Sequence, residues 1–336
     1  MKQQIDRAVG CLLGIAIGDA LGMPASFMSP TQIKKEYGRI TDFLAPSEQQ
    51  VAHQSLQAGG ITDDTQESLI IASVLLEAKR FEQQLFIEKM KEWALEHRML
   101  ESTVIGPSTR KFLETVIEGG DVLKAGRTGD TNGAAMRVAP IGIFYHRDLS
   151  QAIEAAIASA VPSHGSKPGV ASACAIAAAV AKSVAGGYTP QEIMETAIEA
   201  AEQGEASGYD IPAPSVSARI RLAKELVDRH VGQEIDEIAF MLYQYIGAGM
   251  KAYESIPLAL GVFYAAEGQV EQGITTVVNI GDDADTNGAI VGALCGAYSG
   301  AASIPKRWRD KIQQQHSIPV LKLAQELITQ KRETGS

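Results

Sequence analysis

Two stretches of this chain, residues 170–185 and 289–302, are apolar on nearly every side of a helix and are built mostly from Ala, Gly, Ser and Val. Small side chains let helix axes approach closely, so such segments belong at the centre of a multi-helix body. Around them, apolar residues recur at three- and four-residue spacings over 66–78, 83–96, 190–202, 215–227, 235–245 and 320–329. Sustained strand-like alternation is nearly absent. The run Thr275-Thr276-Val277-Val278 has strand-forming residues, but its Glu- and Gln-rich lead-in favours a helix. The fold class expected is all-α. No low-complexity linker divides the 336 residues, so a single domain over 1–336 is expected.

Forty acids against 30 bases leave a net charge of −10, which argues against general nucleic-acid binding. Cys11, Cys174 and Cys295 are far apart in apolar runs and read as small core residues in a reducing compartment. The run 8–18 follows Lys2 and Arg7 as a secretory leader would. It ends on Asp19 without a small-x-small cleavage site, so a buried first helix is expected. The uncharged stretch 288–305 is too rich in Gly, Ala and Ser for a convincing membrane span. No membrane partner and a cytoplasmic location are expected.

The irregular segments are 23–62, 119–132, 162–169 and 204–214, each marked by turn residues. Two acidic clusters stand immediately before apolar helices: Thr62-Asp63-Asp64-Thr65, and Gly281-Asp282-Asp283-Ala284-Asp285-Thr286. Thr and Asp are good N-caps, and acids suit a helix N-terminus. A cap needs one side-chain oxygen, however, and these segments supply two and three carboxylates whose repulsion must be offset by something positive. Mg²⁺ and Mn²⁺ prefer such carboxylate and hydroxyl oxygens, and no histidine cluster points to zinc. A calcium hand fails: residues 283–288 match its first six positions, but the twelfth is Leu294 where a bidentate Glu is needed. Neither a Walker loop nor a strand followed by G-x-G-x-x-G is present.

Three further segments carry chemistry. Gly18-Asp19-Ala20-Leu21-Gly22-Met23-Pro24 closes the first helix, with glycines that permit close backbone approach. Asn132-Gly133-Ala134-Ala135-Met136-Arg137 is expected to open a helix whose amides could cradle a phosphate; Arg137 reads better as a structural ion pair than as a ligand contact. Pro162-Ser163-His164-Gly165 is expected to put a histidine in a turn. The pentapeptide Asp-Thr-Asn-Gly-Ala occurs twice, at 130–134 and 285–289, with no flanking similarity that would indicate duplication.

GDALGMP, TDDT, NGAAMRVAPIG, the Ser163-His164 pair and GDDADTNGAI stand in the order and rough spacing found in the ADP-ribosylglycohydrolases, relatives of the enzyme that removes ADP-ribose from dinitrogenase reductase. The resemblance covers about residues 8–305 and implies an orthogonal helical bundle with two Mg²⁺ or Mn²⁺ ions in a central cleft. It implies Thr62, Asp63 and Asp64 as ligands of one ion, Asp283 and Thr286 of the other, and Asp285 shared between them. It further implies a phosphate- and ribose-binding loop at Asn132, Gly133 and Ala134, a nucleotide-flanking histidine at His164, and a ribose-side turn at Gly247 and Gly249. The implied reaction attacks C1 of a ribose through an oxocarbenium-like transition state, with a metal-bound water as nucleophile. The implied partner is an ADP-ribose-containing or other ribosyl substrate. The polar faces of so many helices leave room for a dimer, so a monomer or homodimer is expected. One residue departs from the pattern: where the family commonly has Glu, this chain has Ser26, a poor base that could still contact a metal or a sugar. Glu36, Asp42 or Glu48 from the same segment could substitute. A hydrolase of a free nucleoside or small N-glycoside, and a metal- and ADP-ribose-binding protein without turnover, are the alternatives.

Overall fold

The computed structural model describes residues 1–330. Eighteen α-helices and three 3-10 turns make up the regular structure, with no strand among the described residues. Side-chain caps set many helix starts. Ser29 with Gln32, and Thr189 with Glu192, close reciprocal capping boxes. Glu82, Asp148, Ser166 and Ser215 each accept a first-turn amide. The periodic segments 83–96 and 320–329 form helices with those same limits, and residues 275–278 are helical.

Three helices, Lys2–Gly22, Lys167–Ala185 and Ala284–Ser299, are buried almost all round and form the centre. Lys2–Gly22 and Lys167–Ala185 are long and apolar enough to cross a membrane, yet the fold buries 94% and 89% of their apolar windows, as it does core helices. The first and third of the three run antiparallel through one small residue per turn. Gly10 faces Gly296, Gly14 faces Gly292, Gly18 faces Gly288, and Gly22 faces Ala284. A methyl at Gly14 would stand 2.0 Å from the Gly292 carbonyl oxygen, and one at Gly18 1.9 Å from that of Gly288. Both obstacles are helix backbone, which cannot step aside as a side chain can. Gly14→Ala is therefore expected to force the helices apart and cost about 1–3 kcal/mol or more. A melting temperature equal to that of the parent chain would contradict this.

The ladder also determines where chemistry can happen. Antiparallel packing brings the C-terminal end of the first helix, with Asp19 and the following Ser26, against the N-terminal start of the helix that carries Asp283 and Asp285.

Several segments expected to be irregular are more ordered than that. Residues 30–37 and 122–126 are helical, and the helix from Pro190 continues to Ser207. The helix Leu149–His164 runs straight through Pro162, so His164 ends a helix and does not sit in an open turn. A proline in a helix interior cannot donate to the carbonyl four residues back. Here Gln83 Nε2 donates to that carbonyl, Ala158 O, at 2.7 Å. The helix opened by Asn132 is a single turn, Gly133–Met136, too short to supply much of a dipole for phosphate.

Candidate active site

The two acidic clusters, 219 positions apart at their first acids Asp63 and Asp282, meet at one cleft. Its walls include Asp63, Asp64, Asp283, Asp285 and Thr286 together with Phe27, His53, Thr131, Asn132, Gly133 and Met250. Thr62 caps the helix Asp63–Ala78, with its hydroxyl accepting the Asp64 amide at 3.4 Å. The same hydroxyl lies 3.1 Å from Asp64 Oδ2, which also accepts from Thr286 Oγ1 at 3.3 Å. Asp283 occupies the N-cap position of its own helix without capping it. Its Oδ2 accepts instead from Asn132 Nδ2 at 2.6 Å. Capping therefore explains Thr62 and leaves the four carboxylates unexplained.

Asp19 ties the first helix to this cluster. Its carboxylate accepts from the Thr62 amide and hydroxyl and from the Thr65 amide and hydroxyl. Burial nevertheless pushes Asp19 up to about 7 against those donors. Burial, reinforced by neighbouring carboxylates, also holds Asp63, Asp64 and Asp283 well above the usual carboxylate range. Asp285 is the exception. Burial opposes its ionisation, but the hydrogen bond and charge of His53 prevail and hold it below the usual value. His53 Nε2 lies 2.9 Å from Asp285 Oδ2.

The donor set fits a hard divalent cation: carboxylates and threonine hydroxyls converge, and no Lys or Arg is among the residues lining the cleft. Asp64 Oδ1 and Asp285 Oδ1 are buried without a hydrogen-bond partner, an expensive arrangement for charged oxygens unless a cation meets them. As the side chains stand, no three His, Cys, Asp or Glu among the described residues close on a common metal position. Asp283 and Asp285 are instead turned onto Asn132 and His53.

The two Asp-Thr-Asn-Gly-Ala copies converge on the same place. Asn132 Nδ2 donates to Ser255 Oγ at 3.0 Å, and Ser255 Oγ donates to Asn287 Oδ1 at 2.7 Å, so the asparagine of each copy meets one serine. The Gly247-Ala248-Gly249 turn supports them from below: Ala248 O accepts the Asp283 amide at 3.1 Å and Asn287 Nδ2 at 2.8 Å. Met250, next in the chain, lines the cleft.

Of the residues singled out in the sequence, Asp63, Asp64, Asp283, Asp285, Thr286, Asn132 and Gly133 reach the cleft wall. Thr62, Ala134, Gly247, Gly249, Ser26 and His164 stand behind it. His164 is fully buried, with Nε2 3.0 Å from Thr131 Oγ1 and Nδ1 2.7 Å from Ser163 Oγ. Burial, then the charge of Arg137, keep it neutral by holding its pKa well below the usual value. Arg137 itself is fully buried in an ion pair with Glu67 at 2.7 Å. Ser26 is 1% exposed; its hydroxyl donates to Gly22 O and accepts the Asp285 amide at 3.3 Å. Glu36, Asp42 and Glu48 are exposed and line no part of the cleft. Sequence reasoning missed His53, Asp19 and Phe27. Phe27 holds a left-handed backbone, φ 64°, with its amide on Asp282 O, and keeps its ring 44% exposed at the cleft.

The chain as a whole has clear relatives. The ADP-ribosylglycohydrolase family model matches residues 1–336. An uncharacterized protein of Archaeoglobus fulgidus is 34% identical over 93% of both chains. The ADP-ribosyl-[dinitrogen reductase] glycohydrolase of Rhodospirillum rubrum is 26% identical over 91% of this chain and 90% of its own. A solved structure titled ADP-ribosylglycohydrolase-related protein complex superposes with a TM-score of 0.72 at 26% identity, covering 98% of this chain and 99% of that one. On its helical fold, its paired acidic clusters and a match along its full length, the chain belongs to the ADP-ribosylglycohydrolase family.

Proposed function

We propose that this protein hydrolyses the glycosidic bond at C1 of a ribose, removing ADP-ribose from a modified protein or small molecule. The observation that carries this reading is the convergence of Asp63 and Asp64 with Asp283, Asp285 and Thr286 on one cleft, with Thr62 directly behind and two carboxylate oxygens left unpartnered. The name of the Rhodospirillum relative, a glycohydrolase of ADP-ribosylated dinitrogen reductase, supports the substrate class. In this reading those six residues hold two Mg²⁺ or Mn²⁺ ions. Bound there, divalent cations supply a water of lowered pKa and a grip on ribose hydroxyls.

The chain's own residues do the rest. Asp63, Asp64, Asp283 and Asp285 would hold the cations at the cleft, and their carboxylates balance the ions' charge in a lining that carries no Lys or Arg. Asn132 is committed to Ser255 and Asp283, so it fixes the cluster and leaves Thr131 and Gly133 as the loop's surface toward a ribosyl group. His164, held neutral behind Thr131, keeps that loop in place. The three buried free cysteines suit a reducing, cytoplasmic setting.

Ser26 favours a second reading. Its hydroxyl is occupied by Asp285 and Gly22, and none of Glu36, Asp42 or Glu48 reaches the cleft in place of the family Glu. A chain that binds ADP-ribose with little or no turnover fits that observation. One assay separates the two: release of free ADP-ribose from arginine-, serine- and nucleic-acid-linked substrates and from free ribosides, with Mg²⁺, with Mn²⁺ and with chelator. Metal-dependent release of ADP-ribose from one linkage is expected. Tight ADP-ribose binding with silence across the panel would replace the hydrolase by the binding protein, and cleavage of free ribosides alone would move the substrate class.

A further inference from the structure

The segment 38–61 contributes one side chain to the cleft lining, His53, and neighbouring residues hold it closely in place. His53 is 2% exposed although it lies in irregular chain. Gln50, fully buried, uses both ends of its amide to place it. Gln50 Nε2 donates to Met23 O and Ser26 O, each at 3.0 Å, while its Oε1 accepts the amides of Ala52 at 2.6 Å and His53 at 3.2 Å. The backbone that carries Ser26 and the backbone that carries His53 are thus clamped together, and both residues then contact Asp285. Ser26 takes its amide and His53 takes Oδ2. The other oxygen, Oδ1, is buried and has no partner.

We propose that His53 is a positioning residue for the cation centre: by donating Nε2–H to Asp285 Oδ2 it fixes that carboxylate as a one-oxygen donor through Oδ1. This rests on the metal-dependent reading of the cleft. An ionised carboxylate only accepts, so the imidazole is the donor in this pair. With Oδ2 committed to His53, Oδ1 is the oxygen Asp285 would have left to offer a cation. Groups that orient a metal ligand in this way typically contribute about 10–100-fold in metal affinity.

Mn²⁺ titration of the full chain, followed by the electron-paramagnetic-resonance signal of free Mn²⁺, tests the inference with no appeal to turnover. His53→Ala is expected to weaken Mn²⁺ binding by about 10–100-fold. His53→Gln, whose Nε2 can also reach Asp285 Oδ2, is expected to stay close to the parent chain. In chelator His53→Ala is expected to melt below the parent, because Asp285 loses its buried partner, so affinity is read well below that melting temperature; His53→Gln keeps a donor and is expected to melt near the parent. Unchanged affinity in His53→Ala overturns the proposal, as does a His53→Gln variant no better than Ala. Electron-spin-echo coupling of ¹⁴N to bound Mn²⁺ in the parent chain also overturns it, because His53 would then be a direct ligand. A parent chain that binds no Mn²⁺ removes both this proposal and the functional reading beneath it, whereas tight parent binding with an indifferent His53→Ala removes this proposal alone.

Discussion

Asp285→Asn is expected to abolish divalent-metal binding in the cleft and to lower ADP-ribose release by about 10²–10³-fold or more, the scale seen when one preorganised electrostatic group is removed. The substitution is nearly isosteric. Its remaining side-chain carbonyl can still accept from His53, and its backbone amide still donates to Ser26 Oγ. What changes is the charge, and the oxygen Oδ1 that nothing in the protein satisfies. Loss of a ligand should therefore exceed the roughly 10–100-fold penalty of losing an outer partner. The fold is expected to survive, because removing one of several buried carboxylates relieves repulsion with Asp63, Asp64 and Asp283. Calorimetric Mn²⁺ titration and kcat for ADP-ribose release check the two halves separately. Asp42→Asn, an exposed acid beside Arg307, serves as the control that should change neither. Retention of both metal binding and hydrolysis in Asp285→Asn would sink the assignment.

The reach of the sequence is clearest at the helices. Segments 83–96 and 320–329 could be bounded from periodicity because local signals and tertiary packing agree there. The Pro162 helix was illegible for a definite reason: the carbonyl that proline orphans is satisfied by Gln83, 75 positions earlier in the chain. Small residues in the first and last buried helices announced close approach, but the pairing of Gly10 with Gly296 depends on a register no local pattern encodes. The acidic clusters were readable because two carboxylates at adjacent positions exceed what capping needs. His53 was not, since its place is dictated by Gln50 and by a carboxylate 232 positions away. Asp19 was hidden by its glycines. In GDALG the obvious role of the segment is helix packing, and only the structure shows its acid accepting from both Thr62 and Thr65.

The buried carboxylates also make stability depend on pH in an unusual direction. Asp19 titrates near 7 in the folded chain, where burial opposes its ionisation, against a usual 3.8. Asp63, Asp64 and Asp283 are displaced the same way, by burial and then by neighbouring acids. Below about pH 4 these groups are protonated in both folded and unfolded chains. As pH rises, the unfolded chain ionises first, so stability is lost progressively until the folded groups ionise too. His53, raised despite burial because of Asp285, contributes in the same sense across the neutral range. Asp285, displaced downward by His53, opposes the trend only in acid, where its contribution is lost as pH falls through its folded pKa. In chelator, the melting temperature is therefore expected to fall steadily between about pH 5 and pH 8, opposite to a protein whose acids are salt-bridged. Mn²⁺ or Mg²⁺ replaces the missing protons, so its effect should be largest at the alkaline end. At a free concentration of about 100 times Kd it contributes roughly 2.7 kcal/mol. With about 2–4 °C per kcal/mol in mid-sized domains, that is a rise of several degrees. A thermal-melt series across this pH range, with chelator and with each metal, reads both effects. A flat profile in chelator would show that the acids are compensated within the protein, and the cation would then lose its reason to bind.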